Sequence, residues 1–266
     1  MRNRSDIDAV ERTPRTRPVP RAAARLWSGI LTLGLLSLSA GMVRADCADL
    51  AIVLAIDASG SVDATEFLLQ QQGYTQAFRS QKVQSALEAA GVVEIAVVLW
   101  GDAEIAPQVL AWQRLRNKPD AERLAGRIAG MPRIVSGNTG IGRGVATAID
   151  LLQDPGRCAW RKIVNVSGDG IETMTPRRSS FLPLRIVRAR AEPAGITINA
   201  LAIETDEPHL SDWYRDRLIA GPAAFVMEVG GFETFADAIV EKLAREIAPP
   251  MVATLRPPTS PDRAQN

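Results

Sequence analysis

Three oxygen-bearing side chains follow an apolar run in the first third of the chain. The run Ile52–Ile56 ends at Asp57, and Ser59 and Ser61 follow at every second position. A run rich in Val, Ile and Leu is typical of a strand buried on both faces. Carboxylate and hydroxyl oxygens at the end of such a strand suit Mg²⁺ or a similar hard cation. Ser61 alone could equally cap the helix that follows.

Two further segments carry residues of the same kind. One is the glycine-rich loop Gly137–Gly144, which contains Thr139, and the other is Ser167-Gly168-Asp169-Gly170. Each has a plain structural explanation, because Thr139 could stabilise a turn and Asp169-Gly170 is a common turn dipeptide. In an open parallel sheet, however, ligands bind beyond the carboxyl ends of the strands. The three segments together therefore predict one oxygen-rich site.

The elements that would position these residues alternate between apolar runs and amphipathic segments. Strands are expected at 52–56, 92–100, 105–115, 162–167, 196–203 and 223–229. Helices are expected at 63–79, 81–90, 119–130, 145–152, 184–192 and 232–247. Asp63 and Glu66 have the spacing of a capping box at the start of the first helix. This alternation predicts a largely parallel sheet with helices on both faces.

The three motifs and their order resemble the metal-ion-dependent adhesion site of von Willebrand factor type A (VWA) domains. That site has D-x-S-x-S, then a loop Thr, then an Asp before Gly, and the resemblance spans about residues 49–247. It implies a doubly wound, Rossmann-like α/β fold whose central sheet is mostly parallel, with one antiparallel edge strand. Gly168 departs from the family pattern, which has Thr or Ser directly before the Asp.

The resemblance also implies a role for each site residue. Ser59 and Ser61 would bind the metal through their hydroxyls, and Thr139 directly or through water. Asp57 and Asp169 would hold it mainly through water. The metal would be Mg²⁺, with Mn²⁺ or Ca²⁺ as alternatives, and it would keep a position for an Asp or Glu carboxylate of a partner protein.

The two cysteines, Cys47 and Cys158, are expected to pair if the resemblance holds. Cys47 lies ten residues before Asp57, and Cys158 lies eleven before Asp169. In a type A fold the two strands that end at these acids are parallel neighbours, so both thiols would reach the opposite edge of the sheet nearly level. Two free thiols are the alternative.

Other chemistry finds little support in the sequence. The chain has one histidine, His209, expected in a loop or at the surface, so zinc sites rich in His and Ser-His hydrolysis are disfavoured. Gly140, Gly142 and Gly144 lack the spacing of a dinucleotide-binding loop. A metal-assisted hydrolase would need a general base, for which Glu172 and Asp102 are the nearest guesses.

The first 45 residues read as a targeting segment. Eight of the 31 basic residues but three of the 30 acidic residues lie there, which leaves 23 basic and 27 acidic residues in the rest. An apolar run from Leu26 to about Val43 precedes Val43-Arg44-Ala45, which fits a signal peptide cleaved after Ala45. A retained N-terminal anchor is the alternative, and only then would a membrane be a partner.

We therefore expect a signal peptide at 1–45, a VWA-like domain at 46–250 and a disordered tail at 251–266. The protein would be periplasmic or secreted, would not be an enzyme, and would bind another protein through a divalent cation. A mildly acidic folded part disfavours nucleic-acid binding. A structural role in an envelope assembly, with a metal that only stabilises the fold, is the alternative, and a metal-assisted hydrolase is the weaker one.

Overall fold

A six-stranded sheet forms the centre of the protein. The computed structural model describes residues 47–173 and 182–249. The strands lie in the order β3-β2-β1-β4-β5-β6, and all neighbours are parallel except β3, which runs antiparallel to β2 at one edge. The strands are β1 (Ala48–Asp57), β2 (Val93–Trp100), β3 (Gln108–Leu115), β4 (Ala159–Gly168), β5 (Ile196–Ile203) and β6 (Val226–Val229). The predicted fold class, including the antiparallel edge, is confirmed.

Seven α-helices in the described ranges cover the two faces of this sheet. They are α1 (Ala64–Arg79), α2 (Gln81–Ala90), α3 (Lys118–Ala129), α4 (Ile141–Leu152), α5 (Leu184–Arg188), α6 (Leu210–Arg217) and α7 (Phe235–Ile247). Short 3₁₀ turns at Glu192–Ala194 and Phe232–Thr234 precede β5 and α7.

The central strand β1 shows why both faces are covered. Leu50, Ile52 and Leu54 belong to a core that includes residues of α1, α2, α3 and α7, whereas Ala51 and Val53 belong to a second core that includes residues of α4, α5 and α6. Side chains alternate between the two faces of a strand, so the continuous apolar stretch Leu50–Ile56 needs an apolar layer on each side. The two resulting cores hold the carboxyl end of β1 rigidly, where the oxygen-bearing residues begin.

Helix α1 begins directly after the first motif through the capping box that the sequence predicts. The Asp63 carboxylate accepts hydrogen bonds from the backbone N–H groups of Thr65 and Glu66 at 2.7 and 2.8 Å. The Glu66 carboxylate in turn accepts from the Asp63 N–H at 2.7 Å. Because Asp63 is the cap, Ser61 is not needed for this role and its hydroxyl is used elsewhere.

Three helices differ from the sequence-based expectation. Helix α5 ends at Arg188, four residues before the predicted end at Glu192. Helix α4 begins at Ile141 rather than at Val145, so Gly142 and Gly144 lie inside it. A Cβ atom at position 144 would lie 2.4 Å from the Trp100 ring, which explains a glycine in that helix. Helix α6 was not predicted, because its sequence Leu-Ser-Asp-Trp-Tyr-Arg-Asp-Arg has few apolar residues and little periodicity.

A disulfide joins Cys47 to Cys158, with 4.6 Å between their Cα atoms. The next residues along the chain, Ala48 and Ala159, are register partners at the amino ends of β1 and β4. The predicted pairing is therefore confirmed, and it lies at the edge of the sheet opposite the three motifs.

The predicted signal segment at 1–45 and the predicted disordered tail at 251–266 lie outside the described residues. Within the described residues, no helix is both long and apolar enough to cross a membrane.

Candidate metal site at the carboxyl edge of the sheet

The fold brings the three motifs to one edge of the sheet. Ile56 of β1 lies opposite Ser167 of β4, so the two parallel strands end side by side. Asp57 ends β1, and Asp169 directly follows β4. Thr139 lies in the loop before α4, and it is buried like both aspartates.

Hydrogen bonds connect all five predicted side chains. The Asp57 Oδ1 atom accepts from the Ser59 backbone N–H at 2.7 Å, and the Ser61 hydroxyl donates to Asp169 Oδ1 at 2.7 Å. The Ser59 and Ser61 hydroxyl oxygens lie 3.2 Å apart. The Thr139 hydroxyl lies 3.5 Å from the Ser59 hydroxyl. The residues that the sequence placed in one site therefore form one contiguous cluster.

The second carboxylate oxygen of each aspartate differs from the first. Asp57 Oδ2 and Asp169 Oδ2 are buried, and neither has a hydrogen-bond partner among the described residues. Burial, followed by the negative charge of Asp169, raises the pKa of Asp57 from 3.8 to about 8. Burial is also the largest cause of the raised pKa of Asp169. Two buried acids, each with one oxygen that accepts no hydrogen bond from the described residues, create a place where a cation would be strongly favoured.

The donor set fits a hard cation better than a transition metal. No three His, Cys, Asp or Glu side chains of the described ranges cluster so that they could hold a metal. The candidate site instead has two carboxylates, and its other donors are the hydroxyls of Ser59, Ser61 and Thr139. An oxygen-only set of this kind suits Mg²⁺, Ca²⁺ or Mn²⁺.

The loop that carries Thr139 is held by backbone contacts. The Thr139 N–H donates to the Thr173 hydroxyl at 2.9 Å, and the Thr173 N–H donates to the Thr139 carbonyl at 3.1 Å. The Gly60 N–H donates to the Gly137 carbonyl at 2.6 Å and so ties the first motif to this loop. Gly137 has φ of +88°, a conformation that favours glycine.

Arg133 is a residue of the site that the sequence analysis missed. Its guanidinium donates to the Ser59 carbonyl at 2.6 Å and to the Ala58 carbonyl at 3.1 Å, and it lies 5.5 Å from the centre of the Phe67 ring. Its positive charge lowers the pKa of Asp57 and Asp169, although burial outweighs it. Arg133 follows Pro132 in a segment with no motif, so no local signal marks it.

The residues named as bases for a hydrolase have other contacts. Glu172 accepts a hydrogen bond from the Gly142 N–H at 2.8 Å, at the start of α4. Asp102 accepts from the Asn138 side-chain amide at 2.8 Å and from the Glu104 N–H at 3.0 Å. Both acids therefore support the backbone around the site. His209 is exposed, as predicted, and is remote from the motifs in sequence.

The comparisons with known proteins agree with this geometry at the level of fold. Residues 46–251 match the family described as "Protein of unknown function (DUF1194)", and the chain belongs to that family. No curated protein matches the chain.

Solved structures with a similar fold include two proteins from distant organisms. One is proximal thread matrix protein 1 from the mussel byssus with a zinc-occupied MIDAS motif, at 17% identity and a TM-score of 0.52, covering 75% of this chain and 46% of that chain. The other is the pilus adhesin SpaC from Lactobacillus rhamnosus GG, at 15% identity and a TM-score of 0.53, covering 76% and 31%. This chain thus spans less than half the length of either. The predicted VWA-like fold is confirmed.

Proposed function

We propose that this protein binds a divalent cation, Mg²⁺ in the first place, through Asp57, Ser59, Ser61, Thr139 and Asp169, and uses it to bind another protein. The observation that carries this proposal is the pair of buried carboxylate oxygens, Asp57 Oδ2 and Asp169 Oδ2, which have no hydrogen-bond partner among the described residues. A group of this kind is destabilising unless a ligand compensates it.

The cation would be bound directly by neutral hydroxyls, and the two aspartates would act on it mainly through water. The bound cation would supply positive charge and an exchangeable position for a carboxylate oxygen of the partner. The Oδ1 atoms of Asp57 and Asp169 already accept hydrogen bonds from the Ser59 N–H and the Ser61 hydroxyl. Neutral hydroxyl ligands leave more positive charge on a cation than carboxylates would, which favours an anionic group from the partner.

The surface beside the site supports a protein as the partner. Ile134 is 68% exposed and Ile105 is 40% exposed. They belong to adjacent loops, since the Ile134 N–H lies 3.4 Å from the Gln108 side-chain oxygen and the Asp102 N–H donates to the Ser136 carbonyl. Exposed aliphatic side chains beside a charged site suit a partner whose acidic residue is flanked by apolar ones.

We also propose that the protein is exported, periplasmic or secreted, with residues 1–45 removed as a signal peptide, or else held by that segment as an anchor. The Cys47–Cys158 disulfide supports this location, because disulfides persist mainly in oxidising compartments. Binding rather than catalysis is proposed as the activity, since the adhesin and matrix proteins above share the fold.

A metal titration tests the proposal directly. Mg²⁺, Mn²⁺ and Ca²⁺ are added to the wild type, to Asp57→Ala and to Asp237→Ala, an exposed acid of α7 that serves as the control. Binding at 100 times Kd would stabilise the wild type by about 2.7 kcal/mol, an increase in Tm of roughly 5–10 °C. The control should respond in the same way and Asp57→Ala should not. Equal, flat responses in all three would refute the site.

A second experiment separates partner binding from a purely structural metal. Peptides displayed on phage are selected on the Mg²⁺-loaded protein and eluted with a chelator. Enrichment of an acidic residue with apolar neighbours, lost with Asp57→Ala, would support a shared carboxylate. A metal that stabilises the protein while no acidic peptide is enriched, and whose affinity acidic peptides leave unchanged, would favour the structural role.

A further inference from the structure

Tyr214, on helix α6, contacts the segment Ser167–Gly170, which is the third motif of the candidate site. Its side chain is fully buried, and its hydroxyl donates to the Gly170 carbonyl at 3.1 Å. Gly170 directly follows Asp169, so this bond fixes the backbone on the carboxyl side of that acid. Tyr214 lies 45 residues further along the chain than Asp169, and no motif connects the two.

The position of the Tyr214 hydroxyl explains the glycine at 168. A Cβ atom at position 168 would lie 2.8 Å from Tyr214 Oη and 2.9 Å from Asp57 Oδ2. Carbon atoms do not approach oxygen so closely without a shift of one or the other. Gly168, Tyr214 and Asp57 therefore share one small volume, which has no room for a side chain at 168 while the phenol occupies it.

The hydroxyl of Tyr214 lies in an environment that keeps it protonated. Burial, together with the negative charges of Asp57 and Asp169, raises the pKa of the Tyr214 phenol well above its ordinary value. A phenol with its ordinary pKa is already a neutral hydrogen-bond donor at physiological pH. A phenylalanine would fill the same core volume beside Trp213 but could not hold the Gly170 carbonyl.

We infer that Tyr214 is a positioning residue of the candidate metal site, which fixes Asp169 through the Gly170 carbonyl and which requires glycine at position 168. This inference rests on the proposed function, because it assigns the role of Tyr214 with respect to the proposed cation. This accounts for glycine at position 168, where the family pattern has Thr or Ser. The Tyr214 phenol on α6 occupies the space that a hydroxyl-bearing side chain at 168 would need.

The test compares the two tyrosines of the protein. Tyr214→Phe removes the hydroxyl at the site. Tyr74→Phe removes the hydroxyl of a second fully buried tyrosine, which hydrogen-bonds to Asn165 and Ser167 rather than to a carboxylate or hydroxyl of the site. Mn²⁺ binding is followed by calorimetry, and stability by urea unfolding without metal. We expect Tyr214→Phe to weaken Mn²⁺ binding roughly five- to tenfold, the effect of one lost buried hydrogen bond, and Tyr74→Phe to leave it within twofold.

A double-mutant cycle checks the shared volume without any metal. Gly168→Ala should lower the urea midpoint strongly in the wild type and less in the Tyr214→Phe background, because one of its two clashes is removed. Equal losses in both backgrounds would overturn the steric part of the inference. Wild-type Mn²⁺ binding that Tyr214→Phe leaves unchanged, or that both tyrosine variants weaken equally, would overturn the positioning role alone. A wild type that binds no Mn²⁺ would overturn the proposed function as well.

Discussion

Two groups of buried acids in this protein differ in how completely they are hydrogen-bonded. Glu246 on α7 accepts from the Asn165 amide at 2.5 Å through one carboxylate oxygen. Its other oxygen accepts from the Asn199 amide at 2.9 Å and from the Lys242 ammonium at 2.8 Å. Asp57 and Asp169, in contrast, each keep one buried oxygen without a partner among the described residues.

The difference is not caused by a lack of donors near the site. The Gln70 amide donates to the Asp57 main-chain carbonyl at 3.1 Å rather than to its carboxylate. The Ser167 hydroxyl donates to Gln70 at 3.2 Å, and Tyr74 bonds both Ser167 and Asn165. One buried hydrogen-bond network thus runs from Glu246 to Asp57. Both carboxylate oxygens of Glu246 accept hydrogen bonds, whereas only one of Asp57 does so among the described residues. Full pairing stabilises a fold, and incomplete pairing leaves room for a ligand.

The largest expected effect lies at the opposite edge of the sheet. The Cys47–Cys158 disulfide closes a loop with a sequence separation of 111 residues. Replacing both cysteines with serine should lower the free energy of unfolding by about 4–5 kcal/mol in the chain-entropy model, measured by urea denaturation. Mn²⁺ affinity of the folded variant should stay within twofold of the wild type. A matching loss of affinity would show that the two edges are not independent.

Breaking the complete acid cluster should be nearly as destabilising. Glu246→Ala would leave the buried Lys242 ammonium uncompensated, and we expect a loss of about 3–5 kcal/mol in urea unfolding. Burial already lowers the pKa of Lys242, and Glu246 opposes this shift. The apolar double variant Lys242→Met/Glu246→Leu is the control and should lose less than Glu246→Ala. If Glu246→Ala lowered the free energy of unfolding less than the double variant does, the contrast between the two groups of acids would be contradicted.

The incompletely hydrogen-bonded acid Asp57 should make the stability of the protein depend on pH. The folded-state pKa of Asp57 is raised to about 8, so the folded protein retains a proton that the unfolded chain releases near pH 4. Without metal, Asp57 therefore does not lower the free energy of unfolding below about pH 4, where it is protonated in both states. Between about pH 4 and about pH 8 the free energy of unfolding falls with rising pH, by up to about 1.4 kcal/mol per pH unit. Thermal unfolding in a chelator measures this slope.

Two controls sharpen the pH experiment. Asp57→Asn should remove most of the slope, and saturating Mg²⁺ should flatten it in the wild type by favouring the ionised carboxylate. A wild-type slope that neither Mg²⁺ nor Asp57→Asn changes would assign the pH dependence to other groups.

The smallest expected effect separates two roles of Arg133. Arg133→Lys keeps the charge but loses the planar group that bonds the Ala58 and Ser59 carbonyls, whereas Arg133→Gln loses both. If ordering the first motif is its main role, both variants should weaken Mn²⁺ binding about threefold and lower stability by about 1 kcal/mol. If its charge dominates, Arg133→Lys would be neutral and Arg133→Gln would bind the cation more tightly, as calorimetry would show.

Much of the fold could be predicted because its signals are local. The apolar runs located all six strands to within four residues at each end, and the largest difference is the start of β1, which lies at Ala48 rather than at Ile52. The errors have local causes as well. Gly142 and Gly144 resembled a loop although both lie in α4, where the Trp100 ring leaves no room for a Cβ atom at position 144, and α6 is too polar to show helical periodicity.

By itself, the sequence determined which residues meet at the candidate site and which cysteines pair. The order of the motifs and the nearly equal counts, ten residues back from Asp57 and eleven back from Asp169, suffice for this once the resemblance makes the two strands parallel neighbours, as they are. Only the tertiary structure decided that Arg133 binds the first motif, that Tyr214 holds the third, and that two carboxylate oxygens have no hydrogen-bond partner in the described part of the chain. Those facts depend on packing between segments tens of residues apart, which no local pattern encodes.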